Sequence, residues 1–153
     1  MVTMKSVPAP SLVPDQCIAF NIGKAYRNVL HYFEKAVNEQ SSISSMQYGL
    51  LIHIAKLEPV SGREISAATG HDPSTLSRTL GGLEKAGLIS SRRDDGGDRR
   101  RVLYSLTGEG RNRLDEAIPV WADVQRRVIQ ELGEEESGEL LRILRRVQTL
   151  DLT

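Results

Sequence analysis

The stretch from Ser61 to Leu106 constrains the fold more than any other part of this chain. Within it, Ser61-Gly-Arg-Glu64 matches a capping box, in which a serine hydroxyl and a glutamate carboxylate each satisfy a backbone N–H at the start of a helix. Gly70 is placed to end this helix, and Asp72-Pro73 begins the next with an N-cap followed by proline at the first helical position. Two short helices joined by a tight turn predict a helix-turn-helix.

A basic hairpin is expected directly after the second of these helices. Gly87 is placed to end the helix in the left-handed conformation that glycine adopts most easily. Residues 88–93 and 101–106 are predicted strands, and Asp94-Asp-Gly-Gly-Asp98 between them is a turn sequence. A helix-turn-helix followed by such a hairpin is a winged helix, so the chain is expected to be mainly α with a small β-hairpin wing.

Long amphipathic helices flank the winged helix on both sides. Apolar residues recur at three- and four-residue spacing through residues 15–39, and again through a helix that Thr107 caps and that Pro119 is expected to kink. A last helix is predicted over residues 134–150. A compact winged helix needs few of these apolar faces, so we expect a second copy of the chain to cover them in a homodimer.

These patterns predict one intertwined domain with three parts. Residues 1–14, with three prolines, are expected to form a flexible N-terminal arm. Residues 15–40 and 107–153 are expected to form the helical dimerisation region, and residues 41–106 the winged helix-turn-helix region that binds DNA. The predicted architecture is therefore a winged helix-turn-helix with long N- and C-terminal dimerisation helices.

The net charge is zero, yet nucleic-acid binding needs local positive charge, because much of the affinity comes from displacing counterions around phosphates. The charges are segregated along the chain. Five arginines lie within ten positions: Arg92, Arg93, Arg99, Arg100 and Arg101. Glutamates crowd residues 131–139. A single cysteine precludes an internal disulfide, and no apolar run reaches the roughly 20 residues of a membrane span, so we expect a cytoplasmic protein with no membrane partner.

The second helix of the helix-turn-helix has two contrasting faces. At 100° per residue three leucines share one side, and the opposite side carries Ser74, Arg78 and Lys85, with Thr75 flanking. Short hydroxyl side chains let a helix approach a partner closely, and Arg78 can donate two hydrogen bonds to a guanine edge. This face predicts base reading in the major groove of double-stranded DNA.

The predicted wing carries its charge at the tip. Arg99 and Arg100 lie where the hairpin turns, and arginines are drawn into the minor groove by its negative potential. Asp98 would oppose a phosphate, so we expect it to brace an arginine through a charge-assisted pair.

Three segments of the sequence resemble the MarR family of bacterial regulators. They are the run Asp72-Pro-Ser-Thr-Leu-Ser-Arg-Thr-Leu-Gly-Gly-Leu-Glu-Lys-Ala-Gly-Leu-Ile89, the wing sequence Asp98-x-Arg100 and the following Leu106-Thr-Gly-Glu-Gly110. The resemblance implies an obligate dimer whose N- and C-terminal helices interlock. It places Ser74, Thr75 and Arg78 in the major groove, and Arg100 in the minor groove with Asp98 as its brace. Gly81-Gly82 departs from the polar, often charged pair common in the family, which implies fewer contacts from that turn.

The resemblance also implies a small-molecule effector, often phenolic or anionic, bound between the dimer helices and the DNA-binding lobe. Tyr26, His53 and Trp121 are candidates for that pocket, although each also suits an ordinary core position. Cys17, at the start of the first helix, resembles the cysteine of the peroxide-sensing branch of the family, and a thiol at a helix N-terminus gains reactivity. Ser45 stands where that branch has a tyrosine, and the alternative is that Cys17 is a small buried apolar residue.

Other function classes lack their signatures. The sequence has no phosphate-binding loop, no nucleophile elbow, and no Cys-x-x-Cys or His-Glu-x-x-His, so we expect no enzyme activity, no cofactor and no metal. A protein-interaction winged helix would favour an apolar or acidic face on its second helix. The sequence predicts a DNA-binding transcriptional regulator, a repressor released from a palindromic operator by a small-molecule effector. The alternatives are a thiol redox sensor acting through Cys17 and a protein-interaction module.

Overall fold

The computed structural model describes residues 16–94, 96 and 101–151. The helices of this part are α1 (Ile18–Gln40), α2 (Ser45–Leu57), α3 (Gly62–Thr69), α4 (Pro73–Lys85), α5 (Gly108–Leu132) and α6 (Glu134–Gln148). The strands are β1 (Val60–Ser61), β2 (Ile89–Arg93) and β3 (Val102–Leu106). The expected fold class is confirmed: a mainly helical chain contains a winged helix-turn-helix between long helices.

The sheet is antiparallel, with strand order β1-β3-β2. Strands β2 and β3 form the predicted hairpin, in a register that runs from Ile89 opposite Leu106 to Arg93 opposite Val102. Strand β1 is absent from the sequence-based expectation. Its two residues are too few to show the alternation of a strand, and only their pairing with β3 identifies them.

The helices of the winged helix begin and end where the capping residues predict. The Ser61 hydroxyl and the Glu64 side chain close the capping box of α3, and Gly70 ends that helix with a φ of 72°. Asp72 caps α4, and Gly87, with a φ of 73°, ends it, after which the Leu88 N–H donates to the Leu83 carbonyl. Local sequence therefore sets the turn that separates α3 from α4.

One hydrophobic core joins the winged helix to the start of α5. Its fully buried side chains come from α2, α3, α4 and the sheet, and include Leu50, Leu51, Ile54, Ile65, Leu83 and Ile89. Leu114 and Ala117 extend this core into α5, and α1 packs along α5 through Phe33 and Val37. Pro119 lies inside α5, which continues through it to Leu132.

The long helices leave apolar side chains uncovered in the single chain. The exposed large hydrophobic residues of α1, α5 and α6 are Ile18, Phe20, Ile22, Tyr26, Val29, Tyr32, Ile118, Leu132, Leu140, Leu141 and Ile143. Ile18 is 72% exposed, although it belongs to the apolar stripe of α1. Within the described part of the chain, no helix is both long enough and apolar enough to cross a membrane.

Candidate nucleic-acid interface

The N-terminus of α4 is organised by Asp72. Its Oδ1 accepts hydrogen bonds from the Ser74 N–H at 3.1 Å, the Ser74 hydroxyl at 2.6 Å and the Thr75 N–H at 2.9 Å. The Ser74 side chain, then Thr75, holds the pKa of Asp72 well below its usual range. Because the Ser74 hydroxyl donates to Asp72, its oxygen is left to face a partner as an acceptor.

The outward face of α4 carries the residues expected to read DNA. Ser74, Arg78 and Lys85 are exposed and Thr75 is half-buried, whereas the leucines on the opposite face are buried in the core. Side chains four residues apart share a helix face, so Ser74 and Arg78 lie side by side. The predicted stripe is thus available for contact with a partner.

Gly81 and Gly82 leave this face bare on the C-terminal half of α4. Both residues are exposed, and a Cβ built on either would have no atom of the described chain within 4 Å. Neither glycine is therefore required by packing within the chain. The lack of a side chain at these two positions therefore matters only for a binding partner that approaches the helix from outside.

The end of the wing hairpin nearest its turn contacts the helix-turn-helix. The Asp94 N–H donates to the Arg101 carbonyl at 2.9 Å, one step beyond the Arg93–Val102 pair of the hairpin. Arg92 and Arg93 are exposed on β2. Asp98, Arg99 and Arg100 lie outside the described residues, so their contacts with DNA stay predictions.

Arg101 links the wing to α3. Its Nη2 donates to Glu64 Oε2 at 2.7 Å, and its Nη1 lies 3.9 Å from Asp94 Oδ2. This connection joins residues 37 positions apart and was missed by sequence reasoning, which assigned Glu64 only to the capping box. No periodic pattern relates the two residues, so only the fold brings them together.

An open cleft of about 840 Å³ separates α3 and α4 from the wing. It is lined by Ser61, Gly62, Arg63, Glu64, Ser66, Pro73, Leu76, Ser77, Leu80, Arg101, Val102 and Tyr104. Its charged side chains are two arginines and one glutamate, so the cleft carries an excess of positive charge. A groove of this kind suits a polyanionic backbone better than an apolar partner.

The candidate effector residues occupy different environments. The Trp121 ring stacks on Tyr48, with centroids 4.3 Å apart, and lies 4.2 Å from the Phe33 ring. His53 Nδ1 lies 2.6 Å from the Gly49 carbonyl oxygen, and Tyr26 is 63% exposed on α1. None of these three residues lines the cleft at the wing. Burial raises the pKa of Tyr48.

Cys17 occupies the N-cap position of α1 and is partly exposed. It makes no side-chain capping hydrogen bond, while its carbonyl accepts from the N–H and side-chain amide of Asn21. Across residues 16–94, 96 and 101–151, no group of three or more histidine, cysteine or acidic side chains could hold a metal ion.

Comparison with known proteins gives one consistent family. A sequence model of the MarR family matches residues 41–101, the stretch that contains α2, the helix-turn-helix and β2. The chain is similar to the HTH-type transcriptional regulator BilQ of Clostridium symbiosum, with 27% identity over 122 residues that cover 80% of this chain and 84% of that protein.

Solved structures share the fold. BpsR of Bordetella bronchiseptica, whose DNA binding is regulated by 6-hydroxynicotinic acid, matches with a TM-score of 0.81 and 22% identity over 90% of this chain and 96% of its own. The transcriptional repressor CouR, bound to a 23-mer DNA duplex, matches with a TM-score of 0.79 and 22% identity over 94% of this chain and 99% of its own. CouR from Rhodococcus jostii RHA1 also has a structure with p-coumaroyl-CoA.

These likenesses extend over the long helices as well as the winged helix, and the names of the relatives describe regulators of transcription or of DNA binding. The capped helix α4 with its exposed polar face, the exposed arginines of β2 and the shared fold all fit a winged helix that binds DNA. Residues 41–101 match the MarR family, and along most of its length the chain is similar to DNA-binding transcriptional regulators.

Proposed function

We propose that the protein is a homodimeric repressor that binds a palindromic operator and is released from it by a small-molecule effector. The observation that carries the proposal is the exposed face of α4, where Ser74 and Arg78 stand outward beside a basic wing. Arg78 reads a guanine edge in the major groove, with Ser74 and Thr75 contacting neighbouring bases or phosphates and Lys85 the backbone. Arg99 and Arg100, with Asp98, supply the contact with the minor groove.

The dimer follows from the uncovered apolar faces of α1, α5 and α6. An open groove of about 710 Å³ runs between α1 and α5, and its apolar lining includes Val29, Tyr32, Val128 and Leu132. The exposed leucines of α6 are apolar, so those of one copy would pack favourably into this groove of a second copy. Residues 15–40 and 107–153 are thus the proposed dimerisation region, and residues 41–106 the DNA-binding region.

Two-fold symmetry dictates the form of the operator. A dimer with two equivalent recognition helices favours two inverted half-sites, with centres about one helical turn of DNA apart. The match to a repressor that was solved on a DNA duplex supports binding of a duplex by the present chain.

The effector is proposed to be a small aromatic acid or its thioester, because BpsR responds to 6-hydroxynicotinic acid and CouR binds p-coumaroyl-CoA. Binding between the dimerisation helices and the winged helix would favour a different separation of the two recognition helices and so lower DNA affinity. Trp121 is the best placed of the candidates, because its ring contacts both α1 and α2. His53 and Tyr26 remain candidates on α2 and α1.

A second candidate signal is oxidation of Cys17, which the partial exposure of this residue at the start of α1 favours. Titration of DNA binding with an organic peroxide, in the wild type and in Cys17→Ser, separates the two signals. Release of the wild type alone supports a thiol sensor, and equal responses of both proteins exclude it.

The DNA-reading role is tested by selecting bound sequences from a random duplex pool and then measuring affinity for the winning duplex. Arg78→Ala should weaken that binding and reduce discrimination against a changed guanine by about 1–3 kcal/mol. Lys56→Ala, which removes an exposed charge from the last turn of α2, is the matched control and should keep the sequence preference. Failure to enrich any duplex, or unchanged discrimination in Arg78→Ala, would contradict the assignment.

A further inference from the structure

A carboxylate of the helix-turn-helix holds the wing hairpin close to its turn. Arg101 immediately precedes β3, and its guanidinium donates to Glu64 Oε2 across 2.7 Å. The same guanidinium lies 3.9 Å from the Asp94 carboxylate at the end of β2. Arg101 is therefore attached both to α3 and to the other strand of its own hairpin.

The carboxylate that holds Arg101 is itself fixed in place. Glu64 Oε2 accepts hydrogen bonds from the Ser61 N–H at 2.9 Å and the Ser61 hydroxyl at 2.6 Å. Ser61 is buried and pairs with Leu103 of β3. The Ser61 hydrogen bonds and then the Arg101 guanidinium lower the pKa of Glu64 from 4.5 to about 2, so Glu64 is ionised at neutral pH.

The held guanidinium stands at the cleft between α3, α4 and the wing. Arg101 lines this cleft together with Arg63 and Ser77. A duplex that receives α4 in its major groove and the wing in the adjacent minor groove must carry one sugar-phosphate strand between the two elements. In that arrangement the phosphates of the strand would pass the side of the cleft where Glu64 holds Arg101.

We propose that Glu64 is a positioning residue for DNA binding, which holds the Arg101 guanidinium at this cleft so that it contacts a phosphate of the strand between α4 and the wing. The inference rests on the proposed binding of a DNA duplex. The proposal assigns to Glu64 a favourable effect on DNA affinity. A carboxylate that acted alone would instead repel a nearby phosphate backbone.

The substitution Glu64→Gln tests the role, because glutamine also closes a capping box but carries no charge to hold an arginine. With a fixed duplex taken from the selection, binding should become about threefold weaker, the size of effect expected for an exposed ion pair. The melting temperature should stay within a few degrees of the wild type. Tighter binding would show that Glu64 only repels DNA and would overturn the proposal.

The matched control is Glu109→Gln, which removes the same charge from an exposed pair with Arg113 at the start of α5. This control should bind the duplex no more weakly than the wild type. An equal loss in both variants would overturn the proposal, because the effect would then not be specific to the wing. Binding of the wild type to the duplex tests the proposed function separately.

A double-mutant cycle shows whether Glu64 acts through Arg101. Arg101→Ala should lower affinity and reduce the slope of log affinity against log salt by about 1. In that background Glu64→Gln should have less than about half of its original effect, in free energy, because no guanidinium is left to hold. A fully additive loss would mean that Glu64 acts through α3 alone and would overturn the proposal.

Discussion

At the scale of single residues, the packing around Gly110 explains why the segment Leu106-Thr-Gly-Glu-Gly110 ends in glycine. A Cβ at Gly110 would lie 1.9 Å from the Leu88 carbonyl oxygen, so only glycine lets α5 approach the end of α4 this closely. The Thr107 hydroxyl accepts from the Gly110 N–H at 3.0 Å and donates to the Gly87 carbonyl at 2.6 Å. These contacts dock α5 directly onto the turn that ends α4.

Gly110→Ala should therefore destabilise the protein by about 1–3 kcal/mol, since the added methyl group must displace backbone. Urea unfolding followed by circular dichroism measures the change. Gly138→Ala is the control, because a Cβ at Gly138 meets open space within the described chain and alanine favours the helix by about 1 kcal/mol. Equal stability of Gly110→Ala and the wild type would contradict the close packing at Leu88.

A second residue-scale prediction concerns the ionisation of Glu64. Its pKa is depressed in the folded protein, so its stabilising effect is fully present above the unfolded value near 4.5 and is lost as the pH falls toward 2. The stability difference between the wild type and Glu64→Gln should be constant above about pH 5.5 and should shrink at lower pH. Denaturant unfolding at several pH values measures it, and a difference that grows on acidification would be inconsistent with the Arg101 pair.

At the scale of elements, α4 combines a well-capped N-terminus with a low helix propensity in its C-terminal half. Asp72 satisfies the backbone at the N-terminus, while two adjacent glycines reduce helix propensity on the exposed face. Nothing within the described chain fills the space beside these glycines. The helix therefore has lower intrinsic stability on the side proposed to face DNA, as expected if the DNA backbone approaches closely there.

Gly81→Ala and Gly82→Ala test this trade-off. Each should stabilise the protein by up to about 1 kcal/mol, because alanine is the better helix former and has room for its methyl group. If close approach matters, at least one of them should also weaken binding to the selected duplex. Gly138→Ala on α6 should stabilise without that loss. A gain in stability with unchanged binding in both α4 variants would show that these glycines have no part in recognition.

The link between the wing and α3 is also a property of elements. Strand β1 and the Glu64–Arg101 pair tie the hairpin to the helix-turn-helix at two places, so the two proposed DNA-contacting elements keep their relative position. On the opposite side, the Glu58 carboxylate accepts from the Leu106 N–H at 2.7 Å and from Arg111 of α5. Glu58 thus links α5 directly to the end of β3.

At the scale of the whole molecule, the single chain does not bury all of its apolar surface. The long helices carry apolar side chains outward on α1, α5 and α6, in a molecule whose net charge is zero. Exposed apolar side chains gathered on neighbouring long helices are typical of an interface. The proposed two-fold assembly covers it and sets the distance between the recognition helices.

Sedimentation velocity at micromolar concentration should therefore give a dimer. Leu140→Glu, which places a charge on the apolar face of α6, should shift the protein toward monomer and weaken operator binding together with dimerisation. Gln130→Glu, which adds the same single charge at an exposed position of α5, controls for charge alone. A wild-type monomer, or a dimer unaffected by Leu140→Glu, would contradict the proposed interface on α6.

Much of the fold could be predicted from the sequence because its signals are local. Ser61, Gly70, Asp72 and Gly87 set the ends of α3 and α4 through hydrogen bonds to backbone groups only a few residues away. The leucines of α4 repeat at helical spacing, so its buried face and hence its outward face followed from periodicity. The motifs that resemble the MarR family lie in the same local segments.

The tertiary structure alone decided the contacts between residues distant in the sequence. Strand β1 exists only because Val60 and Ser61 pair with β3, and the Arg101 guanidinium meets Glu64 across 37 positions. The docking of Gly110 on Leu88 likewise depends on how α5 crosses the end of α4. Capping and periodicity report forces between near neighbours, whereas these contacts depend on the relative placement of whole elements, which no local pattern encodes.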